Sequence, residues 1–289
     1  TFLRQFGIPS PVSNFSSSIV AATAAYEADV AKIAPLYPDS IYLICSGTIS
    51  GPNIESFWPD RNALWYAHGV IAGLMTKTNR IGFTGSNPIP MEISCQNAFL
   101  LGAQSVNPDA EQIVIYVGTY YNPAAERDAA YSLADAGCDI LWNNTDTPSH
   151  VQVAQEKGLH AMSQYADQRE FGPDSYLGGE FLNWEAYYME AFPKIYDGTF
   201  EATVYFPDMK TGACKPQELT KNVPADVAEQ FYELIDELME TEDLYEYCFS
   251  GPIYDTKGNL RCAEGEFLDT IQVNEEMDWF VAGTISSVG

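Results

Sequence analysis

The sequence predicts an α/β protein built on parallel sheets. Between residues 80 and 181, short apolar runs bounded by glycine or polar residues alternate with helical patterns, which is the spacing of βαβ units. Those runs are apolar throughout rather than alternating, as strands buried on both faces must be. Hydrophobic residues make up 46% and charged residues 19% of the 289 residues. That is ample material for a core, it excludes a disordered chain, and the length suits two lobes.

The elements follow in chain order. Strands are predicted at Ile19 to Ala22 and Ile41 to Cys45, with helices over 26–35 and 62–75. Arg80 to Gly85 reads as a buried strand, followed by a helical stretch through Gln96 to Gly102 that ends at Asn107-Pro108. Gln112 to Val117 is the next strand, and residues 123–136 form a helix with Pro123 at its start and Gly137 just past its end. Cys138 to Trp142 is strand, Ser149 to Lys157 helix, Leu159 to Ser163 strand, and 176–181 strand. Beyond these lie a helix from Trp184 to Tyr196, a strand at 202–206 and an acidic helix from Pro224 to about Met239. Gly251 to Leu260 reads as two short strands around a polar turn. No internal repeat or low-complexity tract interrupts the chain.

Charge narrows the partners. Fourteen Lys and Arg against forty Asp and Glu leave a net charge of −26. Such a surface repels phosphates, so nucleic acid is excluded, and highly anionic ligands need a local basic pocket. No run reaches the roughly 18 apolar residues of a membrane helix. The six cysteines contain no CxxC pair, which argues against a structural zinc site. Cys248 and Cys262, on either side of the hairpin, are the pair best placed for a bridge in an oxidising compartment.

Ligands of open α/β sheets bind beyond the carboxyl ends of the strands. The residues that follow the predicted strands are Ser86, Asn87 and Glu92; Thr119, Tyr120, Tyr121 and Asn122; Asn143 to Asp146; Gln164, Tyr165 and Asp167; and Asn183 and Trp184. They are rings, amides and carboxylates, with no basic residue among them. Rings clamp a flat ligand, and amides and carboxylates read its NH and OH groups. A neutral, planar, polar molecule fits: a nucleobase, a nucleoside or a similar heterocycle. Individual roles stay open, since Asp146 before Pro148 equally suits a cap on the next helix, and Trp184 suits packing at a helix start.

Catalytic signals are poor. His68 lies in an apolar helix and His160 starts a strand, both positions of packed histidines, while His150 sits close to the mouth after Asp146. There is no GxSxG elbow, HExxH pair or Walker loop. No catalytic residue, metal ligand or cofactor site is predicted, and the chain is not read as an enzyme.

The segment from Tyr66 to Phe83, with Gly69, Gly73, Met75-Thr76-Lys77-Thr78 and Ile81-Gly82-Phe83, strongly resembles the basic membrane protein family. These are substrate-binding lipoproteins of ABC importers, related to purine-nucleoside receptors. Further matches are Tyr37-Pro38-Asp39, Ile89-Pro90, Gly102 to Asp109, Asp135 to Asp139, Asp167-Gln168 and Met277 to Gly283. The resemblance runs from about residue 19 to 283. It implies a type I periplasmic-binding-protein fold of two Rossmann-like lobes joined by three crossovers, with the ligand in the cleft and lobe closure as the working motion.

The expected division is a first lobe over 1–78, a second lobe over 79–183, and a stretch over 184–289 shared between lobes as crossover helix, acidic helix and C-terminal hairpin. The resemblance also implies an extracytoplasmic, lipid-anchored protein that delivers its solute to an ABC permease. Asn87, Tyr120, Tyr121, Asp146, Tyr165 and Trp184 are the expected ligand contacts, with Trp58 from the first lobe. Tyr121 and Trp184 would stack on the ligand, Asp146 would accept its NH groups, and Asn87 would read a carbonyl or ring nitrogen.

Two departures from the family pattern matter. Members carry a strand–helix–strand stretch of several tens of residues before the segment that matches Ile19, and only eighteen residues precede it here. The first lobe is therefore expected to be N-terminally incomplete, with an unpaired edge completed by a missing segment or by a second copy in a homodimer. Tyr165 also stands where nucleoside-binding members carry an acid for ribose hydroxyls, which favours a free base over a nucleoside. The rival readings are a sensory or regulatory binding protein without transport, a nucleoside-processing α/β enzyme, and a non-binding partner that associates through the incomplete lobe.

Overall fold

A computed structural model describes residues 19–286. In chain order the elements are β1 (Ile19–Thr23), α1 (Glu27–Ile33), β2 (Ile41–Cys45), β3 (Ile54–Phe57), α2 (Asn62–Met75), β4 (Arg80–Gly85), α3 (Pro90–Val106), β5 (Glu111–Tyr116), α4 (Pro123–Asp135) and β6 (Ile140–Asn143). They continue as α5 (Ser149–Lys157), β7 (His160–Ser163), β8 (Tyr176–Leu182), α6 (Trp184–Asp197), β9 (Val204–Tyr205), β10 (Cys214–Pro216), α7 (Ala225–Glu240), α8 (Leu244–Cys248), β11 (Ile253–Tyr254), β12 (Leu260–Cys262), α9 (Thr270–Asn274) and β13 (Thr284–Ser286). The α/β expectation holds, and the described residues divide into two units, 19–59 with 184–213 and 60–183 with 214–286.

The first unit is a four-stranded parallel sheet in the order β1-β2-β3-β9. Alternation along β2 sends Tyr42 and Ile44 to one face, where they pack with Val30, Ala34 and Ile54. Leu43 and Phe57 point to the other face and meet Tyr187, Ala191 and Ile195 of α6. The rings of Phe57 and Tyr187 stack with centroids 3.6 Å apart. Strand β3 was not legible in the sequence because Glu55 and Ser56 interrupt its apolar run. Both are buried and satisfied: Tyr187 OH donates to Glu55 Oε1 at 2.5 Å, and Ser56 Oγ donates to the Ile49 carbonyl at 2.5 Å. Among the described residues β1 pairs only with β2, so it forms one edge of this sheet.

The second unit is a seven-stranded sheet in the order β10-β8-β7-β6-β4-β5-β13, parallel except for β10, which runs antiparallel to β8. One face carries α4 and α5 through Ala130, Leu133, Val151 and Ala154 against Leu141, Ala161 and Tyr176. Trp142, the next residue along β6, points to the opposite face. There its ring lies 5.0 Å from Trp65 of α2 and 5.2 Å from Phe99 of α3.

Glycines set how closely α2 and α3 approach. A Cβ at Gly69 would lie 1.9 Å from the Phe99 carbonyl oxygen, and one at Gly102 would lie 2.0 Å from that of Tyr66. This packing corrects the expected division of the chain. Helix α2, read as first lobe, belongs to the second unit, so the chain leaves the first unit at 59/60 rather than near 78. The described part of 184–289 beyond residue 213, residues 214–286, likewise belongs to the second unit instead of being shared. Phe231 of α7 packs 5.2 Å from the His68 ring, β13 extends the sheet beside β5, and Asn97 of α3 holds the backbone at Trp279 and Val281. The chain returns to the first unit at 183/184.

All six cysteines are free thiols, including Cys248 and Cys262, so the bridge considered for that pair is not formed. No helix among the described residues is long and apolar enough to cross a membrane.

Two predictions follow from this core. Gly102→Ala forces the α2 and α3 backbones apart and is expected to cost about 1–3 kcal/mol, as overpacked cores do, read from the midpoint of urea unfolding. Burial also holds the His68 and His150 imidazoles down to about 4, against an ordinary value of 6.5. The folded state therefore binds fewer protons than the unfolded chain below pH 6.5, and the stability these groups contribute is complete above that pH and lost as pH falls towards 4. Replacing His68 by Gln is expected to flatten the fall of unfolding free energy between pH 6.5 and 4 by up to about 1.4 kcal/mol per pH unit. Equal slopes for the two proteins would refute this.

Candidate functional site

The loops leaving β4, β5, β6 and β7 gather at the carboxyl edge of the second unit's sheet. Five of the seven predicted contacts lie on them. Asn87 is half-buried after β4, and its carbonyl accepts the Ile89 amide at 3.0 Å. Tyr120 and Tyr121 follow β5 with 38% and 68% of their surfaces exposed. Asp146 follows β6, and its amide donates to the Tyr120 carbonyl at 2.7 Å, which ties the β5 and β6 loops together. Its carboxyl is exposed and makes no cap on α5, so the capping reading is removed. Partial burial, then the charges of Glu126 and Glu92, raise the Asp146 carboxyl above its ordinary range. Tyr165, after β7, is half-buried and holds the left-handed conformation with φ 64°, uncommon for a bulky residue.

Trp58 and Trp184 lie in the first unit. Their rings are 5.8 Å apart at 57°, and Trp184 also meets Phe57 edge-on at 6.2 Å. Trp184 is the first residue of α6 and Trp58 is nearly buried, so packing at the helix start accounts for part of what both rings do.

Sequence reasoning listed Glu92, Asn144 and Gln164 after the strands but missed Arg61, Trp65 and Glu180, which join them beneath the mouth. Arg61 is fully buried. Its Nη1 donates to Gln164 Oε1 at 2.9 Å and to Glu180 Oε1 at 3.1 Å, and its Nη2 donates to Glu92 Oε2 at 3.0 Å. The guanidinium also lies 5.2 Å from the Trp65 ring and 5.4 Å from the Tyr165 ring, within cation–π range. Trp65 Nε1 donates to the same Glu180 oxygen at 2.9 Å, and Asn144 Nδ2 to the same Glu92 oxygen at 2.8 Å. Burial raises the Glu180 carboxyl, while Arg61 and the Trp65 indole pull it down. Beneath these rings, amides and carboxylates lies a cation, Arg61, paired with Glu92 and Glu180. The signal was available, because a lone arginine opening the apolar run Ala63-Leu64-Trp65 must be paired if that run is buried.

His150 does not reach the mouth. It is buried, with Nε2 2.8 Å from the Met162 carbonyl, and His68 Nδ1 lies 2.6 Å from the Leu64 carbonyl. Among the described residues no group of three or more His, Cys, Asp or Glu is placed to hold a metal ion. Rings, amides and a carboxylate at the rim suit reversible capture of a small molecule.

The family model of the PnrA-like ABC transporter substrate-binding proteins matches residues 14–244. A purine-binding protein of Brucella abortus is 34% identical over 252 residues, which cover 87% of this chain and 71% of that protein. A putative ABC transporter glucose-binding protein of Haloferax volcanii is 29% identical over 224 residues, 78% of this chain and 57% of that protein. The chain thus spans between somewhat over half and about seven-tenths of these relatives. Among solved structures, an ABC transporter solute-binding protein of Aeropyrum pernix superposes with a TM-score of 0.64 at 15% identity, over 77% of this chain and 75% of that one. The α/β order, the parallel sheets of both units and these matches agree: the chain belongs to the basic membrane protein family of ABC transporter substrate-binding proteins, with a type I periplasmic-binding-protein fold.

Proposed function

We propose that the chain captures a small planar polar solute, a purine base or a close heterocyclic relative, and delivers it outside the cytoplasm to an ABC permease. The observation that carries this reading is the meeting of the β5 and β6 loops, where the Asp146 amide bonds the Tyr120 carbonyl. One backbone bond ties the loop that carries two exposed phenols to the loop that carries an exposed carboxylate. Rings supply stacking faces for a flat ligand, and the carboxylate accepts its NH groups. Asn87 offers a neighbouring amide, and Trp58 and Trp184 are the first unit's aromatic candidates. The purine named for the Brucella relative supports the same ligand class.

Arg61 bears on which purine. Its charge is taken up by Glu92 and Glu180, so it offers no free counterion for a phosphate, and an unphosphorylated ligand is favoured. Tyr165 turns its ring to Arg61 where a nucleoside-binding member would present an acid, which favours the base over its nucleoside.

A thermal-shift screen of purine and pyrimidine bases, nucleosides and sugars tests this reading. A base at 100 times its dissociation constant adds about 2.7 kcal/mol, a shift of a few degrees, with the matching nucleoside inert. Asp146→Ala is expected to weaken binding of that base at least tenfold, since a charged hydrogen bond contributes about 1.5–3 kcal/mol. A shift by glucose alone would move the ligand class to sugars, and unchanged affinity in the variant would take Asp146 out of the site.

A further inference from the structure

We infer that Arg61 is a positioning residue for solute binding: from beneath the mouth it holds the β4, β6 and β7 loops in one arrangement. The inference rests on the functional reading above for where the solute sits. Arg61 directly follows the point at which the chain enters the second unit, and Asp60 anchors it there. Asp60 Oδ1 accepts the Asn62 amide at 2.9 Å, and Oδ2 accepts Asn274 Nδ2 at 3.2 Å and the Tyr245 hydroxyl. A guanidinium anchored in this way can grip whatever its fork reaches.

It reaches the root of each loop. One branch runs from Nη2 to Glu92 Oε2, which also accepts Asn144 Nδ2; Asn144 Oδ1 in turn accepts the Ser86 amide at 2.6 Å. That relay joins the start of the β4 loop, where Asn87 follows, to the β6 loop, where Asp146 follows. The other branch runs from Nη1 to Gln164 Oε1 at the end of β7. Tyr165 follows immediately, its ring over the guanidinium and its backbone left-handed. Glu180 of β8 and the Trp65 indole close the set. None of these atoms needs to touch the solute, yet three of the five contacts proposed in this unit sit one or two residues from an atom held by Arg61 or its relay. A lysine carries the same charge, but its single ammonium cannot span three separate acceptors as the planar fork does.

The test compares Arg61→Lys with Leu238→Ala, a core truncation in α7. Two readouts are taken on each: affinity for adenine by calorimetry, and hydrogen exchange of the Ser86 amide by NMR in the unliganded protein. The expected result is that R61K unfolds cooperatively, loses at least tenfold in adenine affinity and exchanges Ser86 at least tenfold faster than wild type. Leu238→Ala, at a similar loss of thermal stability, keeps both within about threefold. Equal changes in the two variants, or an unchanged Ser86 rate in R61K, would overturn the inference. Should R61K not fold cooperatively, Glu92→Gln, which leaves Arg61 its partner Glu180, carries the same expectation. If the wild-type protein binds no adenine, the ligand assignment fails on that arm alone, and the exchange rates still decide whether Arg61 holds the loops.

Discussion

A guanidinium with no exposed surface must find acceptors inside the protein, because an unpaired buried charge costs far more than folding can offset. Arg61 finds them on three separate elements: Glu92 at the start of α3, Gln164 at the end of β7 and Glu180 in β8. The second unit's sheet therefore cannot vary the relative positions of these strand ends without stranding one partner. Clusters of this kind contribute little net stability compared with a well-packed apolar alternative, since desolvation offsets most of the attraction. What they do contribute here is a fixed arrangement, and it lies under the edge where a solute would be read.

The rest of the unit packs closely around this cluster. Trp65 meets Phe83, Phe99 and Trp142 edge-on, while Gly69 and Gly102 let the backbones of α2 and α3 come into contact. The same handling of buried charge recurs elsewhere. Glu55 in the first unit takes a hydrogen bond from Tyr187, and Glu126 takes one from the Asn122 amide and another from the Thr147 hydroxyl. In a chain with a net charge of −26, most acids can remain in water. Glu55, Glu92, Glu126 and Glu180 each take a hydrogen bond from another element or from the loop before their own helix.

Much of the fold was legible along the chain. Strands β4 to β8 are nearly continuous apolar runs because helices cover both faces of a parallel sheet, and the Pro123 and Gly137 signals placed α4 within a residue. What escaped was short or disguised. Strand β3 reads Ile-Glu-Ser-Phe, and its two polar residues are buried only because α6 and the Ile49 carbonyl supply partners. Strands β10 and β13 are three residues each at the sheet edges, and Pro216 is tolerated in β10 because an edge strand need not donate every amide. At the site, the rim residues could be listed from the ends of strands. Arg61 could not, because it enters from the start of α2, more than a hundred residues before Gln164 and Glu180 in the sequence.

Local pattern by itself determined the α/β class, most of the strands and helices, and the set of polar and aromatic residues at the strand ends. These follow from nearest-neighbour physics: hydrophobic period and turn chemistry. Tertiary structure alone decided that α2 belongs with the second unit, that His150 is a core residue, and that the mouth stands on a buried cation. The physical reason is the same in each case. Burial and pairing are properties of segments distant in sequence, and no local window records which acceptor a guanidinium will meet once the chain has closed around it.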